Sequence, residues 1–243
     1  MTSSRNILKV SKVTKRFGGL TAVEAMTFDV PEHEVLGIIG PNGSGKTTMM
    51  NLISGELKVS AGSITLTGRE LTRAPAHKIA RMGVARTFQL VRILPGLSVV
   101  ENVVAGAVFG HQRLCGVDAV RIAERILQRL GLWDRIHMPV SALTFIDQKR
   151  LELARALASE PEVLLLDEWL AGLNPTELQI GIDLISELRR EGRTIILVEH
   201  VMDAIRSVCS RCVVMNYGLK IAEGTPTEVL SDPKVISAYL GDE

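Results

Sequence analysis

The sequence predicts an α/β fold: a mostly parallel sheet wrapped by helices, with a small antiparallel β subdomain and an inserted helical subdomain. Three observations carry this. Short apolar runs alternate with longer segments of helical periodicity. Residues near the start read as partly alternating strands, and residues 90–159 are helical in pattern without a convincing buried strand. The chain has 243 residues, 46% hydrophobic and 23% charged, enough for a sizeable core.

Taken in order, "NILKVSKVTKRF" and "AMTFDV" alternate, and with "SITLTG" (63–68) form the expected antiparallel sheet. "EVLGII" (34–39), "VLLLD" (163–167) and "TIILVE" (194–199) are short apolar runs of the kind buried on both faces of a parallel sheet. "KTTMMNLISG" is helical and stops at Gly55. "AVRIAERILQRL" (119–130) stops at Gly131, and "PTELQIGIDLISELRREG" opens on Pro175 and ends at Gly192. No internal repeat or low-complexity segment stands out.

Charge and composition exclude several functions. The formal net charge of +1 gives no broad electrostatic footprint for nucleic acid. Cys115, Cys209 and Cys212 do not form a disulfide framework, and the C-x-x-C of Cys209 and Cys212 lacks the second pair or histidine of a metal site. "MTSSRNILKV" has no long apolar core and is not read as a secretory signal. No stretch reaches the ~20 apolar residues that span a bilayer. The expectation is a cytosolic chain that reaches a membrane only through a partner.

Gly40-Pro41-Asn42-Gly43-Ser44-Gly45-Lys46-Thr47 fits G-x-x-x-x-G-K-[ST] between a predicted strand and a predicted helix. Glycines let backbone N–H groups turn around phosphate oxygens, and the helix N-terminus adds partial positive charge. Lys46 is expected on the β- and γ-phosphates and Thr47 on Mg²⁺, with Thr48 beside them. The strand ending in Asp167 brings a carboxylate to the edge where open α/β sheets bind ligands. Asp167 is the expected Mg²⁺ partner, and Glu168 the candidate to polarise an attacking water. Gln89, after "VARTF", and His200, after "TIILVE", are polar residues at strand ends suited to γ-phosphate and water contacts.

Lys46, Gln89, Asp167-Glu168 and His200, in that order and spacing, resemble the ATP-binding subunit of an ABC transporter across nearly the whole chain. "ARTFQ", "DE-x-x-AGLNP" and the tail "AEGTPTEV…VISAYLG" resemble the larger ATP-binding subunit of branched-chain amino-acid importers. The resemblance implies a single ABC ATPase domain with a RecA-like P-loop NTPase core. Residues 1–89 and 160–243 would form the nucleotide-binding part and 90–159 the helical subdomain. It implies Phe17 as a platform for adenine with Val23 nearby, His200 as the γ-phosphate sensor, and Gln89 as the coupling glutamine and a metal contact. It implies ATP and Mg²⁺, and a head-to-tail pair with a second ATP-binding subunit, identical or different. Two membrane-spanning permease subunits, contacted near "LVRILPGLSVV", and indirectly a solute-binding protein complete the implied assembly. The implied location is the cytoplasmic face of the bacterial cell membrane.

The family's signature, Leu-Ser-Gly-Gly-Gln or Leu-Ser-Tyr-Gly-Gln, reads here as Leu143-Thr144-Phe145-Ile146-Asp147, followed by Gln148. Ile146 replaces a glycine, and Asp147 is expected to bring negative charge toward the partner's ATP. Thr144-x-x-Asp147 also fits a helix-capping pattern, so the helix is expected to satisfy its own first donors. Trp169 stands where the family usually has proline, and Asn174 where it usually has aspartate.

Other readings are weaker. A DNA-maintenance ATPase of the same superfamily needs a long coiled-coil arm, and the 121 positions between Lys46 and Asp167 leave no room for one. Intact Glu168 and His200 argue against a regulatory subunit with weak hydrolysis. Among transport substrates, branched-chain amino acids lead; urea, amides and lipopolysaccharide export are the alternatives.

Overall fold

The structure is a computed structural model that describes residues 5–240. Residues 1–4, in the N-terminal stretch discussed above, and 241–243, which include the glycine closing the tail motif, lie outside the described residues. The chain runs β1 (Asn6–Phe17), β2 (Leu20–Pro31), β3 (Val35–Ile39), α1 (Lys46–Ile53), β4 (Ala61–Leu66), β5 (Arg69–Glu70), α2 (Ala76–Met82) and β6 (Val84–Arg86). Helices α3 (Val99–Phe109), α4 (Gly116–Arg129) and α5 (Phe145–Ala158) follow. Then come β7 (Val163–Asp167), α6 (Pro175–Arg190), β8 (Ile195–Val198), α7 (Met202–Val208), β9 (Arg211–Asn216), β10 (Leu219–Gly224), α8 (Pro226–Leu230) and α9 (Pro233–Leu240).

Two sheets form. The antiparallel one has the order β2-β1-β4-β5, and the larger one β10-β9-β3-β8-β7-β6. In the larger sheet β9, β3, β8, β7 and β6 are parallel and β10 is an antiparallel edge. Strands β3, β7 and β8 are buried along their whole length, which is why they read as unbroken apolar runs. Their side chains alternate between two cores. Leu36 and Ile38 face the core shared with α1 and the antiparallel sheet, while Val35 and Ile39 face the core shared with α3 to α7. The sequence reading assigns no strand to 211–224, where β9 and β10 lie.

The helices begin and end where local chemistry dictates. Ser98 caps α3 in a reciprocal box with Glu101, and Asn174 caps α6 with Glu177, Pro175 occupying the first turn. Gly55, Gly131 and Gly192 follow α1, α4 and α6 with φ of 76°, 69° and 75°, a left-handed turn that stops a helix.

Helices α3 and α5 cross closely at Gly106. A Cβ there would lie 2.2 Å from the Arg155 carbonyl oxygen. Gly106→Val should therefore destabilise by ~1–3 kcal/mol through overpacking. At about 2–4 °C per kcal/mol for a chain of this size, calorimetry should register a Tm lowered by roughly 2–12 °C.

Candidate active site

Strand β3 ends at Ile39, and the loop of residues 40–45 connects it to α1. A Cβ on Gly40 (φ 149°) would lie 2.0 Å from the Met215 carbonyl oxygen, and one on Gly45 (φ 102°) 2.5 Å from that of Ala22. Only glycine fits either position, because the β1–β2 and β9–β10 layers press directly on the loop. The Gly218 amide donates to the Ser44 carbonyl at 3.0 Å, fixing the loop to the β9–β10 turn. Lys46 is buried, and its Nζ donates to the carbonyls of Gly40 (2.8 Å) and Pro41 (2.9 Å). An ammonium has three donors, so one remains for a phosphate oxygen. Burial holds the Lys46 pKa below the ordinary lysine value, with Glu168 and Asp167 pulling the other way.

A cleft of about 200 Å³ is lined by Ala22, residues 42–48 and Glu168. Thr47 is exposed and Thr48 half-buried. Inside the loop the Ser44 hydroxyl is buried without a hydrogen-bond partner. Such an orphaned group, a cationic lysine and a helix N-terminus fit a bound polyphosphate.

The carboxylate edge is assembled by sheet order. Asp167, opposite Val198 in the ladder, ends β7. Its Oδ2 lies 2.6 Å from the Arg86 guanidinium, which also donates to Asn51 Oδ1 (2.6 Å) and Ser54 Oγ (3.0 Å) on and just after α1. Burial raises the Asp167 pKa, and the Arg86 hydrogen bond opposes that. Glu168 has a left-handed backbone, φ 48°, uncommon for a residue with a Cβ, and its amide donates to the Val198 carbonyl at 2.8 Å. Its carboxylate accepts from Gln89 Nε2 at 2.7 Å on one oxygen and lies 2.9 Å from His200 Nε2 on the other. Three residues identified separately in the sequence thus form one hydrogen-bonded cluster at the mouth of the cleft. Arg86, which anchors its neighbour Asp167, was not foreseen; its position at a strand end opposite "LLLD" was the available signal.

The remaining predicted residues lie apart. Phe17 is half-exposed at the end of β1, with the Lys15 ammonium 4.8 Å from its ring centre. Val23 is fully buried and packs beneath Gly45, so it is not exposed beside Phe17. None of residues 144–148 lines the cleft. Thr144 caps α5: its hydroxyl accepts from the Asp147 amide (3.4 Å) and donates to the Asp147 carboxylate (2.5 Å). Gln148 donates to the Leu143 carbonyl at 3.1 Å, Ile146 is half-buried, and Phe145 is exposed beside Gly172. Asp147 corrects the sequence reading. Its carboxylate is turned inward, 3% exposed, and paired with Arg135 and, at 3.3 Å, Arg150. It carries no uncompensated charge outward.

Behind the cluster stand acids the sequence did not single out. Glu152 on α5 accepts the amides of Phe88 (3.2 Å) and Arg92 (2.8 Å), which bracket Gln89. Glu199, beside His200, accepts the Leu170 amide at 2.6 Å.

A phosphate loop at the end of a parallel strand, with Asp-Glu, Gln and His at neighbouring strand ends, defines a nucleotide-binding ATPase cassette. The ABC transporter family model matches residues 23–171, and that of the branched-chain amino acid ATP-binding cassette transporter matches residues 220–243. The chain is 41% identical to the high-affinity branched-chain amino acid transport ATP-binding protein LivG of Salmonella typhimurium, covering 98% of this chain and 99% of that protein. It is 40% identical to BraF of Pseudomonas aeruginosa over the same shares. A crystal structure of an ATP-binding cassette of an ABC transporter in its ADP conformation superposes with a TM-score of 0.88 at 30% identity, covering 98% of this chain and all of that one. The chain belongs to the ABC transporter family, in its branched-chain amino acid branch, and is an ATPase.

Burial pushes the Glu199 carboxyl up to about 7, against the Leu170 and His200 amides and the Lys149 charge. A carboxyl whose pKa is raised in the folded state favours folding most below its ordinary value, and that contribution disappears as pH rises through about 7. Thermal melts of the unmodified chain between pH 5 and 8 should therefore lose Tm relative to Glu199→Gln, which lacks the titrating group. Parallel curves would rule this out.

Proposed function

We propose that the chain is the larger ATP-binding subunit of a branched-chain amino-acid importer, powering uptake through two membrane-spanning permease subunits fed by a solute-binding protein. It pairs with a second ATP-binding subunit and sits peripherally on the cytoplasmic face of the bacterial cell membrane. Among the described residues no helix is long and apolar enough to cross a membrane. The observation that carries the catalytic reading is the Gln89–Glu168–His200 cluster at the rim of the cleft that holds Lys46 and Ser44.

In this reading ATP lies with its phosphates in the loop of residues 40–48 and its adenine against Phe17. Lys46 places its charge on the β- and γ-phosphates. Thr47, Asp167 and Gln89 would hold Mg²⁺, which when bound neutralises phosphate charge. Glu168 accepts the proton of the attacking water, and His200 and Gln89 fix the orientation of its carboxylate. The start of α5, where Thr144 and Phe145 are exposed and Asp147 is turned inward, faces the partner subunit's nucleotide. Lys46→Ala should abolish nucleotide binding. Glu168→Gln should keep binding while lowering turnover by about 10²–10³, the usual cost of one lost transition-state contact. Turnover of Glu168→Gln at the unmodified rate would rule out Glu168 as the base.

A groove of about 490 Å³ lies beside the cluster, between residues 84–94, α3 and α5, and includes Phe88, Arg92, Leu94 and Phe109. Leu94 and Phe109 are exposed, and Arg92 stacks on Phe88 with its guanidinium 3.9 Å from the ring centre. This partly apolar surface suits a short helix of a permease subunit. Arg92→Ala and Leu94→Ala should spare basal ATPase activity and weaken its stimulation by the membrane subunits in reconstituted vesicles. Equal loss of both activities would indicate a folding defect instead.

A further inference from the structure

The residue after the Asp-Glu pair is Trp169, 1% exposed and among the largest fully buried side chains. Its indole N–H donates to the Lys149 carbonyl on α5 at 3.1 Å. In return, Lys149, also 1% exposed, extends Nζ to the Trp169 carbonyl (2.8 Å) and reaches that of Glu168 at 3.5 Å. Each residue's side chain thus grips the other's backbone. The indole is also seated against α6, since a Cβ on Gly181 would lie 3.2 Å from its ring. Next in the chain, the Leu170 amide is held by Glu199, and the Ala171 amide donates to the Glu168 carbonyl at 3.1 Å.

This clasp surrounds a residue with an unfavourable backbone. Glu168 has φ 48°, a conformation that persists only where its surroundings over-determine it. Released, the backbone would relax toward a common region, and the carboxylate would swing away from Gln89 and His200. A proline at position 169 has no side-chain donor and could not make this bond. Lys149 lies on the same helix that Thr144 caps, so the clasp joins the signature end of α5 to the Glu168 turn.

We propose that Lys149 and Trp169 are positioning residues that hold Glu168 in its reactive orientation through this reciprocal clasp. The proposal rests on Glu168 being the base. Misplacement of a reacting group by ~1 Å can cost about 100-fold, so Trp169→Phe and Lys149→Met should each lower kcat by roughly 10- to 100-fold. The KM for ATP and the binding of a fluorescent ATP analogue should change less than about twofold. Trp169→Phe keeps an aromatic ring against Gly181 and removes only the N–H and part of the indole, which protects the fold. Lys149→Arg retains donors for both carbonyls and should recover most of the turnover lost in Lys149→Met.

Steady-state ATPase activity, analogue binding and Tm of the full-length chain, with Glu168→Gln alongside, give distinct outcomes. Loss of kcat with binding intact in both clasp variants, and recovery by arginine, supports the proposal. Normal kcat in the clasp variants with turnover lost in Glu168→Gln overturns the clasp and leaves the base intact. Full turnover in Glu168→Gln overturns both. If kcat, binding and Tm fall together in every variant, the clasp is merely structural and the proposal fails.

Discussion

Arg86 and Asp167 set opposite charges 2.6 Å apart with their side chains only 5% and 3% exposed. Taking two ions so far out of water costs several kcal/mol, offset by their mutual attraction and by further hydrogen bonds. Arg86 shares Nη1 between Asn51 and Ser54, leaving its buried Nε without a hydrogen-bond partner, so one guanidinium ties β6, β7 and the end of α1 together. The phosphate loop opens α1 and Glu168 follows Asp167. The two halves of the candidate active site are therefore held in register by a charge that belongs to neither motif. The pair also holds the Asp167 carboxylate at a fixed place on the sheet edge.

Much of this was legible in the sequence, for identifiable reasons. Parallel strands buried on both faces must be apolar throughout, so "VLGII", "VLLLD" and "IILV" declared themselves to within a residue or two. The phosphate loop is a local motif, and two of its glycines, Gly40 and Gly45, are demanded by contacts that would forbid any Cβ. Strand β9 escaped although its apolar run, Cys212–Met215, is as long as that of β8: no glycine or proline marks its start, and the C-x-x-C of Cys209 and Cys212 reads only as an incomplete metal site. Those thiols pack on Gly37 at the centre of the sheet.

What the sequence could not convey was contact between distant residues. Gln89 is 79 positions from Glu168 and meets it only because β6 and β7 are neighbours. Lys149 and Glu152 look like ordinary surface charges of a helix, yet both are 1% exposed. A trace was present: they share the stripe of α5 that carries Leu153 and Ala156, also buried. Each charged residue on that stripe serves a backbone group of another segment. Lys149 takes carbonyls after β7, and Glu152 takes amides after β6. A helix that reads as packing material is thus a frame for both flanks of the candidate active site.

The inward turn of Asp147 links two positions twelve residues apart. Arg135 belongs to a short 3-10 turn between α4 and α5, outside any recognised motif, yet it decides whether the acid at the head of α5 is neutral to its surroundings. Without it, Asp147 Oδ2 would keep only the Thr144 hydroxyl, because Arg150 reaches the other oxygen. Arg150 would then be the one remaining charge paired with this buried acid, a weaker compensation. The two positions are therefore not free to drift separately. An ancestor that acquired Asp147 before Arg135 would have carried a buried acid compensated by Arg150 and the Thr144 hydroxyl alone.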